Sequence, residues 1–485
     1  MAKSLIFAGL CLGLAAPTFA AAPRRPKTRA GVAAPPASVW PMPQTLNFGS
    51  TGVVLDASFL FTCATEICPD PLPAAFSRYD SYIFFAGTPA VNSSKSPRIT
   101  GLSLTVGSDA PLTLGVSENY TLNVPAAGGV ATATCATAWG CLRALETFSQ
   151  LFVWQGNQVP TVYSFASAPA DIVDFPRWPW RGVLIDSSRH FLTTDAVKIT
   201  LNAMSYNKLN TLHWHLVDDN SWPLVSTTLP LMSRGAYAPE ATYSHADLAD
   251  IVSYAFERGI RVMPEFDMPA HASAWADGYP QFVIACADGQ TLLSPLPSSG
   301  IYDAIDALLG EFLPIFKTDF VHFGGDEVED LTCWNESAAV QDFIKQQSLG
   351  DVNGMRNYFE DRIQTIAQGH GAASQFWEEV FDKNYTLLPS SVVDIWLSYD
   401  EVEAAVKSGH RIVSSFGLYL DQQNPFGASH YFWADSWSNF YLNDPTWNRN
   451  LTSDEEALIL GESLSQASTT QINPHLHARA PAANH

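Results

Sequence analysis

The sequence predicts an α/β protein, a (β/α)8 TIM barrel preceded by a small α/β domain. Three observations predict it. From Arg181 onward, eight short and nearly continuously apolar runs alternate with helical patterns. The helices between them carry clear start and stop residues, and acids, histidines and aromatics gather where the runs end. Strands apolar on both faces belong to a parallel sheet covered by helices. Eight such units in about 280 residues favour a closed barrel over an open sheet. No glycine-rich dinucleotide turn follows any run, which weakens the open-sheet alternative further.

The chain begins "MAKSLIFAGLCLGLAAPTFAAAP", one lysine before an apolar core and then small residues. About a dozen apolar residues are too few to span a bilayer, so residues 1–20 read as a secretory signal peptide. Residues 21–38 are Pro/Ala-rich and basic, a flexible leader. Residues 39–176 form the expected N-terminal α/β domain, with apolar-alternating segments "GLSLTVGS" and "NYTLNVPA". Its expected helix, "WGCLRALETFSQLF", places Leu142, Leu145, Phe148 and Leu151 on one face. No acid or histidine cluster in this domain suggests chemistry.

Residues 177–485 hold the barrel. Its runs are "RGVLIDSS", "NTLHWHLVDD", "IRVMPEFDMP", "DFVHFGGDEV", "AASQFWEEV", "SVVDIWLS", "RIVSSFGLYL" and "ALILGES". One helix has Ser244 as N-cap, Asp247 three residues on, and Gly259 closing it; another is expected to start at Asp400 and stop at Gly409.

The formal charge of −22 repels nucleic acid and anionic membranes, and no basic run reverses it. A neutral or small partner suits such a surface. Seven cysteines include Cys11 within the signal, leaving six. An even number in an exported chain suggests disulfides, with fifteen pairings open. Spacing suggests the local loops Cys63–Cys68 and Cys135–Cys141, with Cys286–Cys333 as the remainder. Sequons at Asn92, Asn119, Asn335, Asn384 and Asn450 fit an exported glycoprotein.

A barrel of this kind works at the C-terminal ends of its strands. The runs end with Asp186 and Arg189, then His213, His215, Asp218 and Asp219, then Glu265, Asp267 and His271, then Asp326 and Glu327. Trp377, Trp396, Tyr419 and Asp421 follow. Aromatic walls, an arginine and carboxylates suit an uncharged, hydroxyl-rich ligand. Glycosidases that use two carboxylates place them on opposite sides of the scissile bond. Consecutive acids are poorly placed for that. One can protonate a leaving oxygen while its neighbour holds the N–H of a 2-acetamido group that attacks its own anomeric carbon.

At these residues the chain resembles the glycoside hydrolase family 20 β-N-acetylhexosaminidases, particularly the eukaryotic lysosomal type. "RGVLIDSSRHFL", "MSYNKLNTLHWHLVDDNSWP", "RGIRVMPEFDMPAHASAW", "HFGGDEVEDLTCW", "FWEEVFD" and "YLD" carry the resemblance, over roughly residues 39 to 463. It implies a retaining exo-glycosidase that removes terminal β-linked N-acetylhexosamine through an oxazolinium intermediate. By the same resemblance Glu327 is the general acid/base and Asp326 orients the acetamido group. Arg189 would bind ring hydroxyls, and Asp218 and His271 would form a chain to Glu327. Trp377 and Trp396 would wall the pocket, Tyr419 would touch the acetamido group, and Asp421 a ring hydroxyl. Cys286 and Cys333 match a disulfide of the lysosomal enzymes. The implied partner is a glycan, the implied assembly a homodimer, and the implied place the secretory pathway, secreted or lysosomal. No cofactor, metal, nucleic acid or membrane insertion is expected.

The sequence departs from the family after "LGES": Gln466 and Ser468 stand where a pocket Trp and Glu are expected. The final barrel helix is expected to be missing, since "INPHLHARAPAANH" has no helical apolar stripe. Such a chain is expected to be poorly stable and impaired, and an inactive sugar-binding relative is the alternative reading. A metal-dependent amidohydrolase, suggested by His213 and His215 on one face of a strand, lacks the matching lysine and later histidines.

Overall fold

In the computed structural model the described residues are 39–64, 68–89, 95–156, 161–287, 289–328, 330–420 and 437–466. The signal, the leader, Asn92, Asp421, Ser468 and the tail expected to lack the closing helix lie outside them.

Six strands form the first sheet: β1 (Thr45–Cys63), β2 (Arg98–Ser108), β3 (Tyr120–Val124), β4 (Gly129–Thr137), β5 (Val153–Trp154) and β6 (Tyr163–Asp174). Their order is β1-β2-β4-β3-β6-β5, and the long β1 also pairs with β6 along its first half. The helix Ala138–Leu151 packs on this sheet, with Leu142, Leu145, Phe148 and Leu151 all buried as their spacing predicts. Thr137 caps it by accepting a bond from the Gly140 N–H.

Eight parallel strands then close into a barrel: β7 (Trp180–Asp186), β8 (Thr211–Val217), β9 (Arg261–Phe266), β12 (Phe320–His322), β13 (Ala373–Trp377), β14 (Val392–Ile395), β15 (Arg411–Ser414) and β16 (Ile459–Gln466). A small hairpin, β10 (Val283–Ala285) and β11 (Thr291–Leu293), lies in the loop after β9. Each of the eight predicted runs contains one barrel strand, as predicted.

Alternation along each strand sorts side chains into two environments. In β8, Leu212, Trp214 and Leu216 join the apolar cluster shared with the outer helices, while His213 and His215 meet Glu265. Inside the barrel, Trp180, Met263, Phe320, Val392, Val413 and Leu460 form an apolar layer near the strand starts. Further along the same strands, Glu265, His322 and Asp394 continue the inward-facing rows, so the interior turns polar toward the strand ends.

The helix His245–Phe256 has the predicted capping box between Ser244 and Asp247. Gly259 closes it as predicted: at φ +65° its N–H donates to the Phe256 carbonyl, and the next N–H, of Ile260, donates to the Ala255 carbonyl. The helix Tyr399–Lys407 corrects the other expected start. Ser398 is the cap and accepts from the Asp400 N–H, so the Asp400 carboxyl sits in the first turn. There it complements the positive end of the helix without capping it.

Cysteines pair as Cys63–Cys68, Cys135–Cys141 and Cys286–Cys333. Asn119, Asn335, Asn384 and Asn450 are exposed. Among the described residues no helix is long and apolar enough to cross a membrane.

Candidate active site

The "GGDE" turn after β12 is built by glycines that no other residue could replace. Gly324 has φ +65°, and a Cβ there would lie 1.7 Å from Asp267 Oδ1. Gly325 has φ +88°, and its added Cβ would lie 2.5 Å from Val380. The Gly324 N–H donates to His322 Nδ1 at 3.0 Å, and the Gly325 N–H donates to Asp267 Oδ1 at 3.3 Å. Burial holds the His322 imidazole down to about 4, so it stays a neutral acceptor. Beyond the turn, Glu327 sits at φ +50° and His271 at φ +54°. Both are non-glycine residues in the left-handed region, a cost that concentrates at functional sites.

Seven of the nine residues proposed for catalysis or sugar binding come from successive strand ends in this way. Arg189 NH1 lies 2.9 Å from Asp186 Oδ2, and its NH2 lies 2.9 Å from Asp218 Oδ2. Asp218 Oδ1 faces His271 Nδ1 at 3.3 Å. The far nitrogen of that ring, Nε2, lies 3.4 Å from Glu327 Oε2 and 3.6 Å from Asp326 Oδ2. Asp218, His271 and the two consecutive acids are therefore one contiguous chain. Trp377 and Trp396 meet nearly edge to face, with ring centres 6.4 Å apart. Trp377 is 8 % exposed and donates its indole N–H to Glu265 Oε1 at 3.0 Å. Trp396 is half-buried, its N–H bonded to Glu379 Oε2 at 3.0 Å. Tyr419 forms a backbone bridge with Ser465 of β16. Asp421 lies outside the described residues.

Opposing effects set the proton affinities. Burial works to raise the Asp218 carboxyl, but hydrogen bonds from His215 and His271 hold it far below the usual range. Burial works against a charged His271, yet the charges of Asp267 and Asp326 hold its affinity well above normal. Burial raises Asp326, and burial with the Asp326 charge raises Asp267. Glu327 is lowered, first by the hydrogen bond from His271. Beneath these groups burial opposes the charge on Glu265, but His215 and the neighbouring imidazoles keep it well below normal.

His213, Glu265 and His322 also bring potential metal-ligand atoms together, as do Asp218, Asp219 and His271. His213 Nε2 lies 2.8 Å from Glu265 Oε2, a close ion-pair contact.

Sequence reading missed Glu379, Arg356 and Gln290. Glu379 stands in the quoted "FWEEV", but nothing in that run told it from a helix-capping acid. Gln290 Nε2 donates to the Glu327 carbonyl at 2.7 Å from the hairpin loop, which had no expected role.

A closed barrel whose mouth gathers carboxylates, an arginine and tryptophans defines a class, the barrel glycoside hydrolases. Comparison with known proteins narrows it. Residues 178–473 match "Glycosyl hydrolase family 20, catalytic domain", and residues 39–151 match "beta-acetyl hexosaminidase like". The chain belongs to glycosyl hydrolase family 20. It is 34 % identical over 443 residues to beta-hexosaminidase subunit A1 of Dictyostelium discoideum, covering 90 % of this chain and 80 % of that protein. It is 31 % identical over 475 residues to human beta-hexosaminidase subunit beta, covering 93 % and 83 %. A chitobiase from Flavobacterium johnsoniae shares the fold with a TM-score of 0.75 and 27 % identity, over 88 % of this chain and 65 % of that one.

Proposed function

We propose that this protein is a retaining exo-β-N-acetylhexosaminidase acting on terminal N-acetylglucosamine or N-acetylgalactosamine by substrate-assisted catalysis. One observation carries the reading: Asp326 and Glu327 both approach the same nitrogen of His271, so the two acids meet on one side of the pocket. An enzyme with its carboxylates so placed leaves the far face of the sugar without a nucleophile of its own. The substrate's acetamido oxygen fills that role.

In the proposed first step that oxygen bonds to the anomeric carbon as the glycosidic C–O bond breaks. Glu327 gives its proton to the leaving oxygen, and Asp326 accepts a hydrogen bond from the acetamido N–H while countering the growing positive charge. Water then attacks the anomeric carbon from the leaving-group side, Glu327 takes its proton, and the acetamido group reforms. In the free protein His271 holds Glu327 low. A neutral sugar seated over Glu327 excludes water and disfavours the carboxylate, which brings the proton on with the substrate. Arg189, held between Asp186 and Asp218, and the two tryptophans would fix the ring, with Tyr419 and Asp421 on its acetamido and hydroxyl edges.

Residues 1–20 as signal peptide, 21–38 as leader, 39–176 as the N-terminal domain and 177–485 as the barrel complete the proposal. Three disulfides and four exposed sequons support a secretory-pathway protein, secreted or lysosomal. Relatives named as subunits support assembly of two copies. Turnover of a chromogenic N-acetylglucosaminide tests the activity, and a thiazoline mimic of the cyclised intermediate tests the mechanism. The mimic should bind wild type tightly and Asp326→Asn poorly. Binding no tighter than N-acetylglucosamine would rule substrate assistance out. Gln466 and Ser468, in place of a pocket Trp and Glu, favour the second reading, a sugar-binding relative without turnover, which the same assay decides.

A further inference from the structure

We infer that Arg356 is a positioning residue for the Asp326–Glu327 pair, acting through the carbonyl of Gly325. This rests on the proposed role of the two acids. Arg356 is 1 % exposed, on the helix Val352–Gly369 outside the barrel. Its NH2 donates to Gly325 O at 3.1 Å, and its Nε is paired with Glu360 Oε1 at 2.5 Å, one turn along the helix. Gly325 is thereby held on both sides, its N–H by Asp267 and its carbonyl by Arg356. That carbonyl belongs to the peptide bond leading into Asp326, so its direction sets where the next two side chains leave the chain.

Packing, through Val380 against Gly325, does only part of this work. A cavity of about 570 Å³ also borders the turn, with Gly325, Glu327, Arg356, Glu379 and Tyr385 in its wall. A turn with φ +88° at Gly325 and +50° at Glu327, bordered by that space, can relax into it once a tether is cut. The charge of Arg356 needs its partner Glu360, whose other oxygen is buried without a hydrogen bond. The bond to Gly325 is the part of the arrangement that faces the chemistry.

The test separates these two jobs. Replacing a buried ion pair with apolar residues of similar size is often tolerated, so Arg356→Met/Glu360→Leu should fold while releasing Gly325. Its kcat should fall about 100-fold with KM within about threefold, the signature of misplaced reacting groups and intact sugar binding. Arg356→Lys keeps the charge for Glu360 but not the fork, and should lose about tenfold in kcat. Glu360→Gln, which leaves the grip on Gly325, should stay within about threefold of wild type. If the double variant does not fold, Arg356→Lys decides alone. Variants that fold and keep wild-type kcat would overturn the inference. Should wild type itself show no turnover, the proposed activity fails, and amide exchange still tests Arg356. In Arg356→Lys the amides of residues 325–327 should exchange about tenfold faster than in wild type, with the rest of the barrel unchanged. Unchanged exchange there would equally overturn it.

Discussion

Two buried charge clusters sit at opposite ends of the barrel and are built from different cations. At the strand starts, Glu118 accepts from Arg143 Nε and Arg181 NH2, both at 2.6 Å, and from Asn210 Nδ2 at 2.9 Å. Arg143 also reaches the carbonyls of Arg258 and Gly259, so one carboxylate ties the first sheet's helix to the barrel. At the strand ends, Asp218 and Glu265 are paired mainly with histidines. A guanidinium keeps its charge at any pH the protein meets, whereas an imidazole can give its proton up, here only above its ordinary range because, against their burial, the carboxylates around His215 and His271 hold it on. Burial works to raise Glu118, yet the two arginines bring it down to about 2. Its contribution to stability is therefore full above the unfolded carboxyl value of 4.5 and is lost progressively as pH falls from there through about 2. One end is built to hold, the other to exchange protons.

The largest effect that could break this contrast is at the working end. Glu327→Gln should cut turnover of substrates with poor leaving groups by about 10²–10⁴-fold. Activated aryl glycosides should lose less, and thermal unfolding should stay close to wild type. Equal losses on both substrate types would take Glu327 out of the acid role.

Glu118→Gln is the counterpart at the other end. It leaves the buried Arg143 and the part-buried Arg181 without their carboxylate and should cost about 3–5 kcal/mol of stability. The folded fraction should keep its kcat, since the change is remote from the strand ends. A stable variant with lost turnover would reverse the assignment of the two ends.

His271→Asn sharpens the comparison by removing a movable cation. Its hydrogen bond is the first cause of the low Glu327 affinity, so Glu327 should rise and the alkaline limb of kcat/KM should move to higher pH. Turnover at the optimum should fall about tenfold, because the ring also orients both acids. A limb that does not move would show that His271 does not set the Glu327 proton.

The smallest effect is on stability against pH. Burial pushes Glu378 up to about 8 and Glu379 up to about 7, from an ordinary 4.5. The folded state binds these protons more tightly than the unfolded chain does. Stability from this source is complete below about pH 4.5 and is lost as pH climbs through 7 and 8. The melting temperature should decline from pH 5 to pH 8, and Glu378→Gln/Glu379→Gln should flatten that decline by about a few degrees. An identical slope in the variant would place the pH dependence elsewhere, with His215 and His271 the next groups to replace.

The sequence by itself determined the barrel and the rim. Continuous apolar runs can be satisfied only where both faces are covered, and a period of two along "HWH" sends both histidines inward whatever surrounds them. Adjacent acids after two glycines say that a strand ends in a turn that presents them. Strand-end position gathered Asp218, His271 and Glu327 on one rim, and the family resemblance supplied their order as a chain. Tertiary structure decided what holds that chain. Arg356 and Glu360 look in sequence like any ion pair one helical turn apart; only the docking of their helix behind the turn brings the guanidinium to Gly325. Glu118 reads as a lone acid before a short strand, and becomes a clasp only when Arg143, Arg181 and Asn210 converge from three other segments. Periodicity and strand-end position are local properties, carried by neighbours in the chain. The direction of a carbonyl, the charge state of a buried carboxyl and the space behind a loop depend on atoms that only folding brings near.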